Sequence, residues 1–174
     1  MIQVAADIVL IFFVCAAAWW DASSQRIPNT LTVMGLAAAL VLRALVGVDA
    51  FMHGVMGAGI ALLVSLVLYA LRAIGGGDVK LLAGVGGFVG QDQIWGVLAA
   101  IAVLGAAFAL GAMIRRGVLP LLIYNTLNLV RSFSSLGRAE QAQRLDSPAA
   151  LTVPYGIPIA VGTLIWWFWN GVRL

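Results

Sequence analysis

The sequence predicts an all-α, polytopic membrane helix bundle, and three observations predict it. First, 63% of the 174 residues are hydrophobic and only 10% are charged, against about 45–50% and about 25% in soluble domains. Second, the apolar residues gather in runs that approach or reach the roughly 20 residues needed to cross a bilayer. Third, no polar stretch is long enough to form a separate soluble domain, so residues 1–174 read as a single integral-membrane domain.

In chain order, the first apolar run extends from about Val4 to Trp20 and the second from Thr30 to Val48. The third covers Met52 to Ile74, the fifth Ile94 to Ile114 and the last Leu151 to Trp169. Between the third and fifth lies Val79 to Gly90, glycine-rich and short. About a dozen residues at ~1.5 Å each reach only ~18 Å. Such a segment can cross inside a bundle where the membrane is locally thin or the ends are hydrated, but not as a lipid-facing span. Six transmembrane helices are expected.

Charge placement supports that count. With the N-terminus outside the cytoplasm, Arg26, Arg72, Lys80, Arg115, Arg116, Arg131, Arg138 and Arg144 fall on the cytoplasmic side. Only Arg43 and Arg173 fall towards the other side, with Asp7, Asp49 and Asp92. This is the bias of the positive-inside rule. Dropping the fourth crossing would carry Arg115, Arg116 and the basic loop outside. Trp19 and Trp20 then mark one interface, and Trp95, Trp166, Trp167 and Trp169 the other. The net charge of +3 is read as topology, and no nucleic-acid partner is expected.

The region at about 115–150 is the extended non-spanning stretch, a cytoplasmic or interfacial loop. Leu119, Leu122, Ile123, Leu127, Val130 and Phe133 recur there at helical spacing, as in a helix lying in the interface. Its basic residues make the lipid bilayer, and anionic headgroups in particular, a candidate partner.

Cys15 is the only cysteine, so neither an intrachain disulfide nor a cysteine zinc site can form. A small core residue is its expected role. The N-terminus lacks the basic region of a signal peptide and carries Asp7 instead, so the segment reads as a retained first span. His53 is the only histidine and opens the third span on the external side. No metal or other cofactor is expected.

Two carboxylates carry the candidate chemistry. Asp21 follows the run closed by Trp19-Trp20, and Asp78 follows Gly75-Gly76-Gly77. Carboxylates at a membrane boundary are costly and mark function, and six crossings place both at the cytoplasmic face. Two carboxylates that share a proton titrate as a pair: one acts as general base on a water while the other, protonated, polarises a carbonyl. Amide hydrolysis needs both roles. The glycines permit close approach of another backbone, and Asp78 at a helix start gains from the positive helix end. Simpler readings stand beside these: Asp78 as an N-cap after a glycine hinge, and a polar loop in which Asp21 merely closes the first span and Pro28 opens the second.

Asp21, the run Arg26-Ile27-Pro28-Asn29 and Gly75-Gly76-Gly77-Asp78-Val79-Lys80 together resemble the type IV prepilin peptidases, membrane aspartyl proteases with a Gly-x-Gly-Asp motif. Pro154-Tyr155-Gly156-Ile157-Pro158 is similar to that family's final helix. The resemblance implies that Asp21 and Asp78 are the catalytic pair, and that Gly75 and Gly77 are the motif's fixed glycines, with Gly76 between them. It implies an endopeptidase that cuts the short basic leader from prepilins and pseudopilins at the cytoplasmic face of the bacterial inner membrane. Larger members carry an N-terminal region with paired cysteines that methylates the new N-terminus. The sequence has neither, and looks like the compact Flp/Tad-type form, so methylation is not carried over.

Several other residues have weaker claims. Lys80 could steer Asp78 or contact substrate, or simply snorkel to the interface. Asn29 could fix the loop near Asp21 or cap the second span. Asp7 is expected to pair with Arg43. Ser65 has no histidine at its depth, which disfavours a serine protease. From another functional class, a small transporter or pilus-assembly subunit could use Asp21 and Asp78 for proton handling or helix contacts. Transporter carboxylates cluster nearer the bilayer midplane, however.

Overall fold

Apolar runs free of interior proline fold as helices in lipid because a helix satisfies its backbone polar groups within the segment. The computed structural model describes residues 1–71, 73–115, 117 and 155–171, and five helices account for almost all of them. They are α1 (Ile2–Ser24), α2 (Asn29–Ala44), α3 (Val48–Ala70), α4 (Gly76–Arg115) and α5 (Gly156–Asn170). By length and composition α1, α3 and α4 can each cross a membrane. The protein is an all-α, multi-pass membrane bundle.

The chain divides into two units, residues 1–105 with 154–174, and residues 106–153. Of the second, the described part is the last turns of α4, mostly exposed and ending at Arg115, followed by Gly117. The expected interfacial helix over Leu119 to Phe133 lies outside the described residues, as do Arg116, Arg131, Arg138 and Arg144.

Helix boundaries differ from expectation at several points. The helix α1 continues through Asp21 to Ser24 and ends where Gln25 takes a left-handed conformation, φ 52°, so the first span runs four residues past Trp20 and holds Asp21 in its last turn. The second span shortens to 16 residues, and the third begins four residues early, at Val48. In the last, Pro158 is accommodated in the first turn of α5, where a missing N–H breaks no helical bond.

The short glycine-rich segment is the centre of the bundle. Residues 81–90 are all buried, with Leu81, Leu82, Val85 and Phe88 packed among Leu10, Phe13 and Val14 of α1 and Ala61 of α3. It ends at Gly90, whose φ of 76° and ψ of 175° are not helical. Contacts on either side show the chain reversing there. The first arm of α4 runs from Asp78, in one cavity with Asp21, to Phe88, bonded to Arg43. On the second arm Gly96 lies against Trp166 and Gly105 against Tyr155, back towards Asp21. The separate fourth and fifth segments expected from the sequence are therefore two arms joined by a one-residue hinge.

Arg43 explains how the hinge survives in an apolar setting. It is only 1% exposed. Nε donates to the Gly87 carbonyl at 2.9 Å, Nη2 to Phe88 at 2.8 Å and Nη1 to Ala50 at 3.2 Å. Carbonyls released where the helix breaks are thus bonded by a buried cation. The expected pairing of Asp7 with Arg43 is not formed: Asp7 accepts from the Trp167 indole at 2.8 Å. Cys15 also departs from expectation. It is exposed on the outside of the bundle, because its neighbours Phe13 and Val14 occupy the inward face of α1.

Candidate active site

The two aspartates arrive in one place from opposite directions. Asp21 sits in the last turn of α1, and Asp78 in the first turn of α4. Both are buried, at 6% and 7% exposure. They line a single cavity of about 280 Å³ together with Gln25, Arg26, Ile27, Asn29 and Gly75 to Gly77. They are close enough for the charge of Asp21 to act on Asp78.

Each carboxylate is held by one backbone N–H. Gly75 donates to Asp78 Oδ2 at 2.9 Å, while the Gly75 carbonyl accepts from the amides of Asp78 and Val79 at 3.1 and 3.3 Å. The side chain therefore closes the turn that opens its own helix, but from the third helical residue and not from the N-cap position. Gly77 packs against Ile27, which seats the glycine turn on the α1–α2 connection. Gly156 donates to Asp21 Oδ2 at 2.6 Å, a short charge-assisted bond. In both aspartates Oδ1 has no protein partner among the described residues.

Of the supporting residues, Asn29 lines the cavity and Lys80 does not. Lys80 Nζ donates to Asn29 Oδ1 at 2.8 Å, tying the start of α2 to the start of α4. Asn29 is the first residue of α2, makes no side-chain cap, and spends its carbonyl oxygen on Lys80. Ser65 is buried in α3 and bonds the Leu62 carbonyl.

Sequence reasoning missed Gly156 as an Asp21 partner. Its signal was the Pro-Tyr-Gly punctuation before the last apolar run: a glycine at a helix start leaves an N–H exposed and lets a side chain approach it. The neighbouring Tyr155 is half-buried, its hydroxyl lies over Gly105 and it feels the charge of Asp78.

Two carboxylates in one cavity, each anchored through one oxygen, are the kind of groups that an acid–base pair acting on water requires. Among the described residues no group of three or more His, Cys, Asp or Glu is placed to hold a metal ion. A family model for the type IV leader peptidases matches residues 8–110, which include both aspartates and the glycine turn. The chain belongs to the type IV leader peptidase family. It is 28% identical over 117 residues to the prepilin leader peptidase/N-methyltransferase of Myxococcus xanthus (strain DK1622). That alignment covers 63% of this chain and 35% of the relative, so this leader-peptidase-family chain spans about a third of the relative's length. No solved structure matches it.

Proposed function

We propose that this protein is a prepilin leader peptidase, an aspartyl endopeptidase that removes the short basic leader from Flp-like type IV prepilins and pseudopilins. The observation that carries the reading is the meeting of Asp21 and Asp78 in one cavity, in a chain of the leader peptidase family. One carboxylate takes a proton from water as it attacks the scissile carbonyl. The other, protonated, donates to the carbonyl oxygen; as the C–N bond breaks, the first passes the proton it took from water to the leaving amine and the second takes back the hydroxyl proton. Gly75 and Gly156 orient the pair, and Gly76 and Gly77 give the turn its tight fit.

The proposed setting is the bacterial inner membrane, with the site at the cytoplasmic face, the N-terminus outside and six crossings. The reversal at Gly90 supports the count, because it gives α4 two arms. Residues 1–174 act as one peptidase domain, with the loop at about 115–150 at the cytoplasmic interface. The substrate's apolar helix docks laterally from the bilayer and presents its leader junction to the cavity. The position of the carboxylates at one end of the bundle favours this reading over a transporter.

Co-expression with a candidate prepilin, followed by gel mobility, tests the proposal. Asp21→Asn and Asp78→Asn should each lower processing by at least about 10²-fold, as general acid–base residues do, with the protein still in the membrane. Normal trimming by either variant would falsify the pair.

A further inference from the structure

One side-chain bond joins the starts of α2 and α4, and it fixes the direction of an amide at the active-site cavity. Lys80 Nζ donates to Asn29 Oδ1 at 2.8 Å. An ammonium has donors and no acceptor, so it meets only the carbonyl edge of an amide. The other edge, Nδ2 with two N–H donors, has no partner among the described residues. Asn29 is exposed and lines the cavity that holds Asp21 and Asp78, so a peptide bound there can reach it.

We infer that Asn29 is a catalytic residue whose Nδ2 donates to the scissile carbonyl oxygen as negative charge develops on it, and that Lys80 positions Asn29 for this. The role rests on the leader-peptidase reading above. When water attacks, the carbonyl oxygen becomes a stronger acceptor with room for more than one donor. The protonated carboxyl supplies the first. A second donor, held in place before the substrate arrives, stabilises that oxygen with no reorganisation at the moment of reaction.

The other side chains of the lining suit this task less well. Ile27 is apolar, and Gly75, Gly76 and Gly77 have no side chain. Gln25 and Arg26 carry donors, but no hydrogen bond among the described residues holds either side chain. Each would lose rotamer freedom on meeting substrate. Asn29 has already given up that freedom to Lys80. The cavity is also small, about 280 Å³, so one peptide linkage can meet the carboxylates and the amide together.

Steady-state cleavage of a leader peptide by the purified full chain in detergent provides the test. Asn29→Leu should lower kcat about 10²-fold, the low end for one oxyanion donor because water reaches Asn29. KM should hardly change, and both limbs of the pH profile should stay in place. Asn29→Asp keeps an acceptor for Lys80, and with it the tie between α2 and α4, but removes the donor; it should be at least as slow. Lys80→Met should give a smaller fall in kcat. Combined with Asn29→Leu it should add no further loss, because Lys80 acts through Asn29. A parental kcat in either Asn29 variant overturns the role of Asn29. So does an effect of Asn29→Leu confined to KM, or a displaced pH profile, which would make the residue a tuner of the aspartates. Effects that multiply in the double variant overturn positioning by Lys80. A parent that cleaves no leader peptide would overturn the leader-peptidase reading instead.

Discussion

The backbone N–H of Gly156 donates to Oδ2 of Asp21 at 2.6 Å, across 135 positions of sequence. A Cβ added to Gly156 would lie 2.8 Å from that oxygen and 2.9 Å from the Asp21 Cβ. The start of α5 is therefore shaped around the carboxylate. Gly156→Ala should displace Asp21 and weaken a charge-assisted bond, lowering prepilin processing roughly 10–100-fold. Gel mobility of a co-expressed prepilin measures this, with membrane content as the control. Processing at the parental rate would show that the bond does not position Asp21.

The proposed chemistry needs one carboxylate ionised and one protonated at the same time. At low pH both are protonated and no base remains; at high pH both are ionised and no acid remains. The rate of leader removal should therefore rise and then fall with pH, and its two limbs belong to the pair and not to either residue. Purified protein and a leader peptide in detergent suffice to measure it. A rate that climbs steadily to high pH would point to a single base.

Arg43 should matter for stability and not for chemistry. Arg43→Met strips a donor from three carbonyls, two of them buried at the hinge. At about 1 kcal/mol or more for each acceptor left without a partner, the cost is about 3 kcal/mol or more. Thermal unfolding in detergent should show a clear drop. Arg43→Lys should recover part of it, since one ammonium can serve only some of the carbonyls. An unfolding temperature equal to that of the parent would remove Arg43 as the hinge's anchor.

The bundle also depends on a place where two backbones touch. A Cβ on Gly57 of α3 would strike the Gly86 carbonyl, and a Cβ on Gly86 would strike Gly57. Small residues that let helices approach this closely are a recurrent device in membranes. Gly57→Ala and Gly86→Ala should each destabilise the protein by about 1–3 kcal/mol. Gly59→Ala, with nothing within 4 Å of the added atom, should be neutral and serves as the control. Equal behaviour of all three variants would contradict the close contact.

Much of this was legible in the sequence. The apolar runs of α1, α3 and both arms of α4 follow from hydropathy alone, because lipid leaves a helix as the economical state for an uncharged run. Gly75-Gly76-Gly77-Asp78 and Asp21 stood out because a carboxylate beside a span is costly unless it serves a purpose. The shortness of Val79 to Gly90 already implied a segment sheltered from lipid, and residues 81–90 are buried throughout.

Tertiary structure decided the partners. Whether Arg43 snorkels or turns inward depends on carbonyls 44 and 45 residues away, and hydropathy has no term for that distance. Asp7 was expected to pair with Arg43, and packing of α1 on α5 gave it Trp167 instead. Lys80 could have faced Asp78, but the approach of α2 gave it Asn29. Composition and spacing thus determined that this chain crosses a membrane with two acids at helix ends. Only the folded arrangement brought those acids into one cavity and supplied the Gly156 N–H, because contacts between distant residues arise from how helices pack and not from the run of residues along any one of them.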